Sequence, residues 1–199
     1  MALHRYITMQ HITITLLLNL LILGIGQPVS QASEPPPLAT VAALDVPRYM
    51  GRWYEIAKYP NRFQRKCVAD TSAEYKLEPD GRVQVINRCR MENGEWNEAV
   101  GMARQVGDTP SPKLEVRFAP AWLSFIPAVW GDYWVIDLDP EYQLVAVSEP
   151  RREYLWVLSR SPAVGHDALA ALRERLRLLG FDTNRLEISA HGKEQGVSR

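Results

Sequence analysis

Histidine and cysteine are both scarce in this chain. Among 199 residues there are four His, and after His4 and His11 only His166 and His191 remain. Both follow the strand-rich part of the sequence. A Ser-His-Asp arrangement or a histidine metal cluster inside the domain is therefore nearly excluded. The two cysteines, Cys67 and Cys89, are too far apart to form Cys-x-x-Cys, and no Gly-rich phosphate loop occurs. No cofactor is expected. Neither sign of charge is in excess: 23 Lys and Arg balance 23 Asp and Glu. A nucleic-acid surface would want a basic surplus, so no nucleic-acid partner is expected. No internal repeat is visible. Long apolar runs are absent except for Ile12 to Ile25, interrupted by Thr13, Thr15, Asn19 and Gly24. That run is about 14 residues, short of the roughly 20 that span a bilayer.

The position of the run explains it. His4 and Arg5 precede it, and Pro28-Val29-Ser30-Gln31-Ala32 follows with a small-x-small ending. This is the layout of a secretory signal over residues 1–32, cleaved after Ala32. Residues 33–44 contain Pro35-Pro36-Pro37 and read as a stiff Pro-rich linker. Residues 45–190 suffice for one compact domain with a real core. Residues 191–199 are expected to be a flexible tail.

Short strands separated by turn residues fill most of the domain. They are expected over about Trp53–Tyr59, Cys67–Leu77, Arg82–Met91, Glu95–Val106, Lys113–Phe118, Trp130–Leu138, Tyr142–Ser148 and Glu153–Ser159. Glu78-Pro79-Asp80-Gly81, Glu92-Asn93-Gly94 and Glu149-Pro150-Arg151 punctuate them. Eight such strands suggest an all-β fold, an eight-stranded antiparallel up-and-down β-barrel, because closure removes both sheet edges. The period then changes. Leu169, Leu172, Leu176 and Leu179 fall on one helical face, predicting an α-helix over about 163–179 packed outside the barrel. Ser161 is its expected cap, Pro162 its first turn and Gly180 its end. Leu186-Glu187-Ile188 suits a short extra strand. No strand shows a plainly exposed apolar outer face, so a monomer or weak dimer is expected.

The chain is organised around Gly51-Arg52-Trp53-Tyr54-Glu55-Ile56-Ala57, at the start of the first strand. Gly permits close backbone approach where a turn becomes a strand, and Trp adds a large apolar plate just beyond. Far downstream, Tyr154-Leu155-Trp156-Val157-Leu158-Ser159-Arg160 ends the last strand on a guanidinium. Arg160 over Trp53 would pin first strand to last. Gly51-x-Trp53, then Asp139 with Glu141-Tyr142, then Arg160 resemble, in order and spacing, the three motifs of the lipocalin family. The stretch Tyr154 to Pro162 resembles its bacterial outer-membrane and apolipoprotein D-like branch. Leu138-Asp139-Pro140 departs from the wider family's second motif. The resemblance covers about Asp45 to Glu187 and assigns Gly51, Trp53, Asp139, Tyr142 and Arg160 a structural role.

Alternation along the strands points Ala57 and Tyr59, Ala73 and Tyr75, Val116 and Phe118, and Trp156 and Leu158 inward, with Trp53 and Glu55. Such residues either fill a solid core or line a cavity. The resemblance implies a cavity for one elongated apolar guest, a fatty acid or lysophospholipid, held by burial without chemistry. It also implies lipid storage or transport in maintaining the cell envelope under stress. Arg62, Arg65 and Lys66 are placed at the cavity mouth, where they meet a carboxylate or phosphate or are ordinary solvated charge. The bacterial branch carries a lipid-modified Cys just after the leader, whereas the first Cys here is Cys67. The expected product is therefore periplasmic or secreted, with peripheral outer-membrane contact left open. The apolar loop Ala119 to Val129 leans into the barrel, or touches a membrane or a partner. Cys67 and Cys89 flank one hairpin and in an oxidising compartment form a disulfide. The alternative is a cavity thiol serving an isomerase-type enzyme on the same barrel.

Overall fold

The computed structural model describes residues 36–192; the expected signal segment and residues 193–199 of the expected tail lie outside the described residues. A one-turn helix α1 (Val46–Tyr49) leads into β1 (Gly51–Lys58), followed by β2 (Cys67–Leu77), β3 (Val83–Met91), β4 (Trp96–Gln105) and β5 (Lys113–Arg117). Then come β6 (Gly131–Leu138), β7 (Leu144–Ser148), β8 (Leu155–Ser159), α2 (His166–Leu178) and β9 (Glu187–Ile188). Each strand from β1 to β8 pairs antiparallel with the next, and β1 also pairs with β8, which closes an eight-stranded barrel. β9 pairs antiparallel with β1 through Ala57 and Lys58, beyond the stretch of β1 that pairs with β2.

The up-and-down order sorts the connections between two ends. α1 sits where β1 begins and closes that end. The connections 59–66, 92–95, 118–130 and 149–154 gather at the other, open end. There β1 and β2 part company, since their pairing covers only Gly51–Tyr54 with Ser72–Tyr75. The C-terminal stretch fills the gap. Ser189 N donates to Ile56 O (3.0 Å), while Asp70 N donates to Ala190 O (2.8 Å). The first residues of the expected tail are thus part of the wall: Gly192 N donates to Asp70 Oδ1 at 2.7 Å.

Two apolar clusters result. One lies inside the barrel and includes Tyr49, Trp53, Ala73, Tyr75, Val135 and Leu158. The other lies between the wall and α2 and includes Ile56, Ala57, Tyr59, Val157, Leu172 and Leu176. α2 begins later than expected. Its N-cap is Gly165, without a side-chain cap, so neither Ser161 nor Pro162 starts it. Gly180 does end it, at φ +88°. The linker expectation also changes from residue 36 onward. Leu38 and Leu44 are buried, and Val41 N and Leu44 N donate to Val135 O and Pro110 O. Apolar residues ahead of α1 dock on the barrel rather than standing off as a tether.

Candidate functional site

The closed end is tied together by charge and turn geometry. Arg160 Cζ lies 4.0 Å from the centroid of the Trp53 ring. Its Nη1 and Nη2 donate to Arg52 O and Arg48 O, both at 2.9 Å, and Nε to Tyr142 O at 3.3 Å. Gly51 sits beneath it at φ +93°, and a Cβ there would stand 3.3 Å from Arg160 Nη1. Only glycine meets both conditions without strain. Asp139 accepts Glu141 N and Gln143 N at 2.9 and 2.7 Å, and also Leu144 N, so its carboxylate shapes the turn into β7. Tyr142 lies in that turn at φ +58°, not in the strand; its hydroxyl accepts Asp45 N at 3.0 Å. These five motif residues build the base of the barrel.

The inside is described by register. Directly paired residues share a face, and Trp53, Ala73, Asn87 and Ala99 form one such row across β1 to β4. Tyr75, Val85 and Gly101 form the next. Ala73, Ala99 and Gly101 are the small residues of this wall, set among Trp53, Tyr75, Val85 and Asn87. Val116, Tyr133 and Trp156 face it from the other side, each partly exposed. The Phe118 ring lies against Gly101, close enough that an added Cβ would meet Cδ1 at 2.7 Å.

Six of the eight residues expected to face inward do so: Ala73, Tyr75, Val116, Phe118, Trp156 and Leu158. Ala57 and Tyr59 do not. β1 carries a bulge between Glu55 and Ala57, so Glu55 opposes Leu158 on the inside while Ala57 opposes Val157 on the outside. One extra residue inverts the alternation beyond it. Ala57 and Tyr59 therefore lie under α2, with the Tyr59 hydroxyl donating to Asp182 O at 2.9 Å and its ring against Phe181. The same shift turns Lys58 inward, opposite Trp156.

A polar network sits near the open end. Glu55 is 2% exposed and accepts from the Gln64 amide and from Ser189 Oγ (2.5 Å). It has no ion pair among the described residues. Gln64 Oε1 accepts from Trp156 Nε1 at 2.9 Å and Asn61 Nδ2 at 2.7 Å. The contacts with Glu55, Trp156 and Asn61 orient the Gln64 amide and hold the 59–66 loop across the barrel rim. Only Glu55 was visible as a candidate; Gln64 lies in a loop, where no periodicity reports its direction.

Arg62, Arg65 and Lys66 lie in the same loop, exposed and without ion pairs among the described residues. Cys67 and Cys89 are bonded, with Cα atoms 5.4 Å apart. They are the only cysteines of the chain, so neither is a thiol nucleophile and the isomerase alternative loses its reactive group. The apolar loop after β5 does not lean into the barrel. Trp130 pairs outward with Arg104 and Arg117, whose Cζ atoms lie 4.1 and 5.2 Å from its ring centroid. The loop folds over the outer wall and leaves a groove of about 240 Å³ lined by Arg104, Glu115, Ser124, Phe125, Pro127 and Trp130. Trp122 and Phe125 stand 72% and 77% exposed. Among the described residues no group of three His, Cys, Asp or Glu is placed to hold a metal.

The family model described as a lipocalin-like domain matches residues 44–191. The chain belongs to the lipocalin family. This lipocalin is 41% identical over 156 residues to temperature-induced lipocalin-1 of Arabidopsis thaliana, covering 77% of this chain and 83% of that protein. It is 38% identical over 154 residues to the outer membrane lipoprotein Blc of Vibrio cholerae, covering 76% and 85%. Among solved structures it is similar to insecticyanin from the tobacco hornworm Manduca sexta. The TM-score is 0.64 at 19% identity, over 80% of this chain and 87% of that one, which bears on the fold alone.

Proposed function

We propose that this lipocalin takes a single elongated apolar guest, a fatty acid or lysophospholipid, into the open end of its barrel. It carries or stores that guest outside the cytoplasm, in upkeep of the cell envelope. The observation that carries the proposal is the set of small residues placed among larger ones on the inner wall. Ala73, Ala99 and Gly101 face Val116, Tyr133 and Trp156, and the latter three are only partly buried. Small side chains on one wall of an eight-stranded barrel leave room for a ligand. An acyl chain gains about 0.8 kcal/mol per buried methylene, enough for about micromolar binding after association losses. Arg62, Arg65 and Lys66 supply the positive rim that an acidic headgroup favours. Membership of a family that includes outer membrane lipoproteins supports export. The test is native mass spectrometry of protein recovered from the envelope fraction, followed by lipid extraction. One co-purifying acyl lipid per chain is expected. An empty protein whose tryptophan emission ignores added acyl lipids would refute the proposal.

A second role is favoured by one observation: Trp122 and Phe125 are exposed together on a loop without charges. Paired aromatics at one rim suit peripheral attachment to a bilayer surface. No helix among the described residues is long and apolar enough to cross a membrane. Vesicle flotation of the wild type and of a Trp122→Ser, Phe125→Ser variant decides it; loss of flotation only in the variant is expected, and equal behaviour would refute it.

A further inference from the structure

Three phenols meet at the closed end of the barrel interior. Tyr133 Oη lies 2.7 Å from Tyr49 Oη and 3.0 Å from Tyr75 Oη. Each phenol brings one proton, and two contacts join the three oxygens. Two protons are consumed inside the cluster. The third has no acceptor among the described residues. A donor left unmet in an apolar interior is unfavourable, so a buried phenol cluster of this kind calls for an acceptor from outside.

The surroundings say where that acceptor comes from. Tyr49 and Tyr75 are buried, whereas Tyr133 is partly exposed on the inner face. The row above Tyr75 holds Ala73 and Ala99 with Trp53 and Asn87, and Gly101 lies in the row of Tyr75 itself. The trio is therefore the polar floor beneath the small residues Ala73 and Ala99. The acceptor's charge also follows. Burial raises all three phenols, Tyr49 and Tyr133 well above their ordinary value and Tyr75 up to about 12. Desolvation that disfavours a phenolate disfavours a carboxylate in the same place. A neutral oxygen meets the spare proton without that penalty.

We propose that Tyr49, Tyr75 and Tyr133 form a recognition site for a neutral oxygen, a hydroxyl or a carbonyl, at the inner end of an otherwise apolar guest. This rests on the proposal that the barrel takes such a guest. It adds that an acyl chain headed at the rim is selected by what its far end carries. A chain ending in methyl leaves the proton unmet; one ending in a hydroxyl accepts it.

The test uses three probes of one hydrocarbon length: dodecanoic acid, its terminal-hydroxy analogue and dodecanol. Their affinities are measured by tryptophan fluorescence and calorimetry on the wild type and on a Tyr49→Phe, Tyr75→Phe, Tyr133→Phe variant. Removing all three hydroxyls at once leaves no orphaned partner and keeps the shape, so the variant is expected to fold. Circular dichroism checks this. The wild type should prefer the hydroxy acid to dodecanoic acid by about three- to tenfold, the effect of one net hydrogen bond. The variant should reverse that order, because its floor is apolar. If dodecanoic acid binds and the wild type shows no preference, a water holds the spare proton and the site is refuted while acyl carriage stands. If neither acid binds but dodecanol does, with a loss in the variant, acyl carriage falls and the site stands. If none of the three binds, both fall. Should the variant fail to fold, the wild-type preference alone decides.

Discussion

Arg160 and Trp53, 107 positions apart by number, meet at 4.0 Å from guanidinium carbon to indole centroid. The same guanidinium donates to two backbone carbonyls ahead of and within β1. One side chain thus joins the end of β8, the start of β1 and the α1 plug. Arg160→Ala is expected to destabilise by about 2–4 kcal/mol, summing lost charged hydrogen bonds and the cation–π contact. Arg160→Lys should recover less than half, since an ammonium cannot fork to both carbonyls. Urea unfolding at unchanged slope measures both. An Arg160→Lys protein as stable as the wild type would show that charge alone matters.

The Cys67–Cys89 bond closes a loop between residues 22 apart. The chain-entropy treatment gives about 3 kcal/mol for such a loop. A Cys67→Ala, Cys89→Ala protein should unfold at correspondingly lower urea while keeping its barrel circular dichroism. A free-thiol assay on the native protein should find none. A titratable thiol would restore the cysteine chemistry as an open matter.

Gln64→Leu removes the donor to Glu55 and the acceptor of Trp156 Nε1 in one step. The Glu55 carboxylate then keeps Ser189 Oγ as its one hydrogen-bond partner among the described residues. The expected loss is about 1–3 kcal/mol, the usual range for a buried polar group left without a partner. A shift in tryptophan emission should accompany it. Unchanged stability would mean water replaces the amide.

Burial raises the Tyr49, Tyr75 and Tyr133 phenols, Tyr75 up to about 12. In the unfolded chain each ionises near 10. The folded state keeps its protons where the unfolded state sheds them, so these groups favour folding fully below pH of about 10. That contribution is lost as pH climbs from about 10 toward 12 and beyond. Spectrophotometric titration should show three phenols ionising only together with unfolding. Full ionisation with the barrel intact would contradict their burial.

Asp70 shifts the other way. The hydrogen bond from Arg90 first, then the Gly192 amide, hold its carboxyl below the ordinary range. A depressed folded value favours folding above the unfolded value of about 3.9, and the benefit disappears as pH falls through the folded value. Because Asp70 ties the 187–192 stretch to β2, acid should loosen that stretch first. Amide exchange at Gly192, followed below pH of about 4, should accelerate before global unfolding; simultaneous exchange throughout would count against it.

Eight strands, their order, the outer helix and the cysteine pairing were legible in the sequence because each depends on local information. Alternation marks a strand, turn residues separate strands, and two cysteines admit one partner each. The Gly51, Trp53 and Arg160 contact was legible only as a motif, since nothing local brings position 160 to position 53. The bulge after Glu55 was not legible. Ile56 and Ala57 are both apolar, so either can face the core, and only the register against β8 sends both outward beneath α2. The tyrosine trio depends on three strands or helices meeting at one height, which alternation cannot report. Composition and periodicity determined that this chain closes into a barrel with a helix outside, because burying an amphipathic sheet requires it. Which residues face its interior, and which protons are left without partners there, was decided by register and closure, where a single inserted residue exchanges inside for outside.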